Sequence, residues 1–155
     1  LKITTTDIFI ALKAAFAACL PEASHYFGNF AESRKLPAFL YRSVFDGRQK
    51  SSYATAEVTK EIQVIFFGRR NGYSEENYRE RLAAEAALQE FLSGCGLWVK
   101  DRHLNFTYQI QDADEQMAIY LTFRYREESP QPKEEEEQQR EAAEHVAFRK
   151  KERSE

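Results

Sequence analysis

Cysteine is scarce in this sequence, with Cys19 and Cys95 the only two in 155 residues. Two thiols so far apart, with no metal-ligand spacing around them, exclude a disulfide scaffold and a thiolate metal site; they read as buried thiols in a reducing compartment. The six glycines are scattered, which excludes the clustered loops that cradle phosphates in P-loop and dinucleotide sites. Histidine occurs three times, as His25, His103 and His145, never with a second His, a Cys or a paired carboxylate at ligand spacing. No apolar run approaches the ~20 residues that span a bilayer, and the first apolar segment is interrupted by Asp7 and Lys13. A soluble, unexported chain with no membrane partner is therefore expected. A basic excess is missing as well. Residues 1–126 carry 16 Lys+Arg against 15 Asp+Glu, and residues 127–155 carry 6 against 10, so the counterion-release signature of a nucleic-acid binder is absent.

What the chain has is apolar and aromatic mass. Apolar residues make up 43% and aromatics 14%, with twelve Phe and eight Tyr, enough to build a core in a chain of one-domain length. The opening TTTDIFIALKAAFAACLP has a capping Thr5 or Thr6, an acidic Asp7 for the first turn and Pro21 as a stop. At 100° per residue, Ile8, Ala11, Leu12, Ala15, Phe16 and Cys19 share one side, the mark of a core-facing helix. A short apolar piece at His25–Phe27 comes next, and AFLYRSVF after Pro37 reads as a strand. DGRQKSS reads as a polar loop, Asp46–Ser52. The segment SYATAEVTKEIQVIFF alternates Ala54, Ala56, Val58, Ile62, Val64 and Phe66 against polar residues, which predicts a long strand with one buried face.

After the turn GRRNGYS, Ser74 with Glu75 and Glu76 opens a second helix, running to about Leu92, and Gly94 and Gly96 close it. Its apolar set, Tyr78, Leu82, Ala84, Leu88, Phe91 and Leu92, spreads over a half-cylinder that also holds Arg81 and Glu85, so part of it is free to meet a neighbour. LWVKDRHLNFTYQIQDADEQMAIYLTFRYRE reads as a meander turning at Lys100–Arg102 and at Asp112–Asp114. The expected class is α+β, a mainly antiparallel sheet of four to five strands packed with two helices over residues 1–128. Residues 129–155 differ in kind. Pro130 and Pro132 end the folded body, and Glu precedes Lys/Arg in the order a helix dipole favours, giving a charged helical C-terminal extension. Its few apolar residues suit contact with a partner through Val146 and Phe148.

No catalytic set emerges, no cofactor or metal is expected, and the chain does not read as an enzyme. Ser24 beside His25 and Cys95 with His103 lack a nucleophile-elbow context. Asp112, Asp114 and Glu115 begin like an acidic metal loop but lack the rest of its ladder.

Taken together, TTTDIFIAL, LPAFLYRSVF, the strand ending IQVIFFGRRN, YRERLAAEAALQEFL and VKDRHLNFTYQIQDADEQMAIYLTFRYR resemble phage tail terminator proteins of Gram-positive phages and prophages. The resemblance covers roughly residues 3–126 and rests on element order and local phrasing. It implies a homo-oligomeric ring, usually a hexamer, that caps the tail tube, stops its polymerisation and offers a surface to head-completion proteins, while DNA passes through the hole without sequence-specific binding. It also implies assembly in the bacterial host cytoplasm and a place in the virion tail. On that reading Arg48 and Lys50, in Asp46–Ser52, and Arg69 and Arg70, in the turn Arg69–Asn71, are candidates for assembly contacts or channel lining. Another head-tail connector or tail tube subunit, or a small enzyme, are the competing readings.

Overall fold

The computed structural model describes residues 2–30, 33–69, 74–113 and 116–128; the expected extension, with Val146 and Phe148, lies outside the described residues. Helix α1 (Thr5–Cys19) is followed by strands β1 (Ser24–Phe27), β2 (Ala38–Lys50) and β3 (Thr55–Phe67), helix α2 (Glu75–Ser93), and strands β4 (Gly96–Val99), β5 (Arg102–Ala113) and β6 (Gln116–Glu128). The α+β class and both helices match the sequence reading. The strand count does not: among the described residues the sheet has six strands in the order β1-β2-β3-β6-β5-β4. It is also mixed, because β1 lies parallel to β2 with Ser24 opposite Ala38 and Phe27 opposite Tyr41. Among the described residues of this crossover, 28–30 and 33–37, there is no helix, so the sequence carried no helical signal to reveal a parallel pair.

Helix α1 begins one residue earlier than expected. Thr4 is the cap, its hydroxyl accepting from the Asp7 N–H at 3.2 Å while Asp7 Oδ2 accepts from the Thr4 N–H at 2.8 Å. This reciprocal box satisfies two otherwise unpaired backbone donors. Lys100 Nζ, on a residue held at φ 55° in the turn after β4, stands 3.2 Å from Asp7 Oδ2. The Thr4 amide, then the Thr4 hydroxyl and Lys100, hold the Asp7 carboxyl below its ordinary value of 3.8 despite the opposing cost of its desolvation. A carboxylate with a lowered folded-state pKa contributes stability that is complete above its unfolded pKa and is lost as pH falls through the folded one. The acid limb of thermal unfolding in Asp7→Asn is therefore expected to be shallower than in the parent below about pH 4. Parallel acid limbs for the two proteins would rule this contribution out.

Helix α2 opens as expected, with Ser74 Oγ accepting from the Asn77 N–H at 3.1 Å. At its far end the left-handed residue is Cys95, at φ 50°, rather than either neighbouring glycine. The Cys95 thiol donates to the Leu92 carbonyl at 3.4 Å, one of the last carbonyls of the helix.

Both helices contribute to one core laid against one face of the sheet. Ile8, Leu12 and Phe16 of α1 and Ala84, Leu88 and Leu92 of α2 meet the inward residues Phe39, Tyr41, Ile62, Val64, Ile119, Leu121 and Phe123. Phe16 is the centre of this packing, with ring centroids 5.1 Å from Phe39, 6.0 Å from Tyr41 and 5.7 Å from Phe91. The alternation predicted for β3 holds, with Ala56, Val58, Ile62, Val64 and Phe66 all buried. On the opposite face of the sheet Phe30 turns back against Phe67, centroids 4.4 Å apart. That leaves a more polar surface around Gln63, Tyr120 and Thr122, where Gln63 Nε2 donates to the Tyr120 hydroxyl at 3.0 Å.

Candidate assembly surfaces

The segment Asp46–Ser52, expected as a loop, is mostly strand: β2 stays paired with β3 from Ala38–Phe67 to Lys50–Ala56, making a long hairpin. Its residues are charged, yet the strand period places Asp46 and Arg48 on the helix-side face, each with a partner waiting. Lys60 on β3, only 6% exposed, donates to Asp46 Oδ2 at 2.9 Å and to Thr5 Oγ1 at 2.9 Å. Arg48 Nη2 donates to Glu127 Oε1 at 2.7 Å, and Glu127 is 5% exposed. Beside them the Tyr125 hydroxyl donates to the Ile3 carbonyl at 3.3 Å, and Arg102 lies over the Tyr125 ring. Burial, reinforced by the Glu127 and Asp46 charges, raises the Tyr125 phenol to about 12.

Arg48 thus has a structural tie at the hairpin base, whereas Lys50 is exposed at the end of β2. Arg69 lies beyond the opposite end of β3, where its N–H donates to Glu80 Oε2 at 3.0 Å. At ~3.3 Å per residue, the length of β3 separates it from Lys50 by about 40 Å. Arg70 lies outside the described residues. The four candidates therefore do not form one patch. Two exposed arginines that the sequence reading passed over, Arg124 and Arg126, stand on the polar face opposite Thr59 and Glu57; the alternation in FRYRE was the available signal.

Helix α2 is turned from its expected face. Asn77 and Arg81 are buried while Tyr78 and Leu82 are exposed. Arg81 Nη1 donates to Asp112 Oδ1 of β5, and its guanidinium lies 5.5 Å from the Tyr78 ring centroid. Tyr78, Arg81, Leu82, Glu85, Ile110, Asp112 and Met117 line an open cleft of about 240 Å³ between α2 and the ends of β5 and β6. A second cluster of exposed apolar side chains, Val44, Phe45 and Tyr53, sits on the hairpin. Register slips between Ser43 and Phe45, leaving Val44 without a partner on β3. The Phe45 ring then lies across Gly47, where a Cβ would come within 2.8 Å of it.

The nucleophile pairs weighed from the sequence are not assembled. Ser24 and His25 are neighbours on a strand, so their side chains point to opposite faces. His25 Nδ1 is 2.8 Å from the Tyr41 hydroxyl, and burial, helped by the Lys13 charge, lowers its pKa. His103 packs edge-on against Trp98, centroids 5.2 Å apart, while the Cys95 thiol is committed to Leu92. Among the described residues no group of three or more His, Cys, Asp or Glu is placed to hold a metal, and no helix is long and apolar enough to cross a membrane.

No protein-family model and no curated protein matches the chain. One solved structure overlays 83% of this chain and 97% of its own at 8% sequence identity, with a TM-score of 0.40, an overlap too loose to carry an argument about fold or function.

Proposed function

We propose that this chain is a structural assembly subunit that closes into a homo-oligomeric ring of the tail-terminator kind. In that role it caps a finished phage tail tube, ends its polymerisation and presents the joining surface to a head-completion protein, with DNA passing through the hole. The observation that supports this reading is that the sheet is open on both sides at two different places. β1 covers β2 only as far as Tyr41, and β4 covers β5 only from Arg102 to Asn105. Among the described residues no strand pairs with the outer edge of either β2 from Arg42 to Lys50 or β5 from Thr107 to Ala113. Two unlike edges on one subunit favour head-to-tail contacts, and such contacts generate a ring when the rotation closes. The polar face carrying Gln63, Tyr120 and Thr122 suits a channel wall, and the helices suit the outside.

Native mass spectrometry and sedimentation of the purified chain test the reading. A discrete closed oligomer, six copies for a tail terminator, is expected at high concentration or on added tube. Open filaments of indefinite length would assign the chain to the tube instead, and a strict monomer even with tube present would defeat both assignments.

A further inference from the structure

We infer that the ring closes by strand pairing, with the outer edge of β5 in one copy receiving the outer edge of β2 from the next in antiparallel register. The inference rests on the ring reading and supplies its contact. β2 runs antiparallel to β3, β3 to β6, and β6 to β5. In a neighbour of the same orientation, β2 therefore runs opposite to β5, as an antiparallel ladder needs. The available donors are in phase: the Phe106 N–H points outward to the Cys95 carbonyl, so by strand alternation the Tyr108 and Ile110 N–H groups point outward past the end of β4.

The heights of the open stretches fix the register. Through β3, Arg42 is level with Tyr120 of β6 and Lys50 with Glu127, whereas β5 from Ala113 to Thr107 is level with Gln116 to Thr122. Bringing the low ends together, Arg42 beside Ala113, displaces neighbouring copies by four residues, from Tyr120 to Gln116. An even displacement keeps helix-side residues beside helix-side residues. β1 of the next copy falls beyond Ala113, and the seam ends with Gln49 opposite Thr107, because Cys95 already takes the outward Phe106 N–H. Four residues amount to ~13 Å along the strands, against ~19 Å for the four strands β2-β3-β6-β5, a tilt of about 35°. Closed sheets tilt their strands by about that angle, so the offset suits a ring whose inner wall is a continuous barrel with four strands from each copy.

The side chains agree with this seam. β5 from Thr107 to Asp112 reads Thr-Tyr-Gln-Ile-Gln-Asp, without proline, lysine or a bulge, and natural sheets seldom leave such an edge bare. Exposed apolar groups flank both edges, Tyr78 and Leu82 beside β5 and Val44 and Phe45 on β2. The register sets them at similar heights along the strands, Tyr78 and Leu82 on the helix side of the sheet and Phe45 on its polar side.

In the full chain, Gln49→Cys combined with Thr107→Cys places one thiol on each edge at positions that the register sets opposite each other, both exposed on the polar face. Oxidation is expected to give a ladder of covalent multiples ending in a closed species, beyond anything the single variants form through Cys19 or Cys95. As an independent measure, Gln109→Lys and Gln111→Lys, with unchanged circular dichroism and melting temperature, are each expected to raise the concentration for half-assembly by roughly tenfold or more. A closed oligomer that persists in the lysine variants and shows no cross-link above the singles would place the contact elsewhere, overturning the seam and sparing the ring. A covalent ladder that never closes would support the seam and overturn the ring. Absence of both oligomer and cross-link at every concentration, as expected if the edges receive a different protein, would overturn both.

Discussion

Phe16→Ala is expected to lower the free energy of unfolding by about 3–5 kcal/mol, enough to consume much of the stability of a domain this size. Phe16 is fully buried, and its ring joins α1 to Phe39 and Tyr41 of β2 and to Phe91 of α2. Deleting it removes apolar contact on three sides and leaves a cavity whose walls belong to different elements, so no single shift refills it. Urea unfolding of the purified variant measures the loss. Phe16→Leu, which keeps most of the volume, is expected to recover more than half of it. A loss below about 1 kcal/mol in Phe16→Ala would show that the helix and sheet close the gap.

The second large effect is expected at the hairpin base, where the two members of one ion pair are predicted to respond unequally. Asp46→Ala leaves the Lys60 ammonium buried with Thr5 as its remaining recorded partner, at an expected cost of about 2–3 kcal/mol. Lys60→Met removes the buried charge itself, while the half-exposed Asp46 carboxylate returns to water, and is expected to change stability by less than about 1 kcal/mol. The double variant should resemble Lys60→Met. Equal losses in both single variants would mean that the Lys60 ammonium reaches solvent once Asp46 is gone.

Where side-chain burial follows the period of a single element, the sequence revealed it. Ile8, Leu12 and Phe16 on α1, and Met117 through Tyr125 on β6, are buried as their spacing requires. The failures share a cause: each depends on a partner from another element. DGRQK reads as loop because its charges suit solvent, yet Asp46 and Arg48 point inward to Lys60 and Glu127, which are distant in sequence. Tyr78 and Leu82 belong on the apolar face by composition, but Arg81 is drawn under the helix by Asp112, and the face turns with it. Cys95 takes the left-handed position although a glycine stands on either side, and nothing in the local sequence marks it. The open edges were not legible at all, because an edge is defined by strand order, and β1 and β4 became edge strands only when β6 took its place beside β3. The assembly residues read from the sequence were chosen for charge on loops. The structure separates Lys50 from Arg69 and ties Arg48 into the fold, so the surfaces that matter for the proposed ring are backbone edges, to which composition is nearly blind.

The strand order also bears on how the protein is made. β6, the last of the described strands in chain order, occupies an interior position in the sheet between β3 and β5 and carries five apolar core residues, Met117, Ile119, Leu121, Phe123 and Tyr125. Until it emerges from the ribosome, β3 keeps an open edge and β5 has only the short β4 beside it. Even the segment before α1 waits on it, because the Ile3 carbonyl is met by the Tyr125 hydroxyl across 122 positions of chain. Such long-range pairing delays folding until β6 is available. The nascent chain is thereby kept from closing its sheet, or offering a finished pair of edges to another copy, before the body of the subunit is complete.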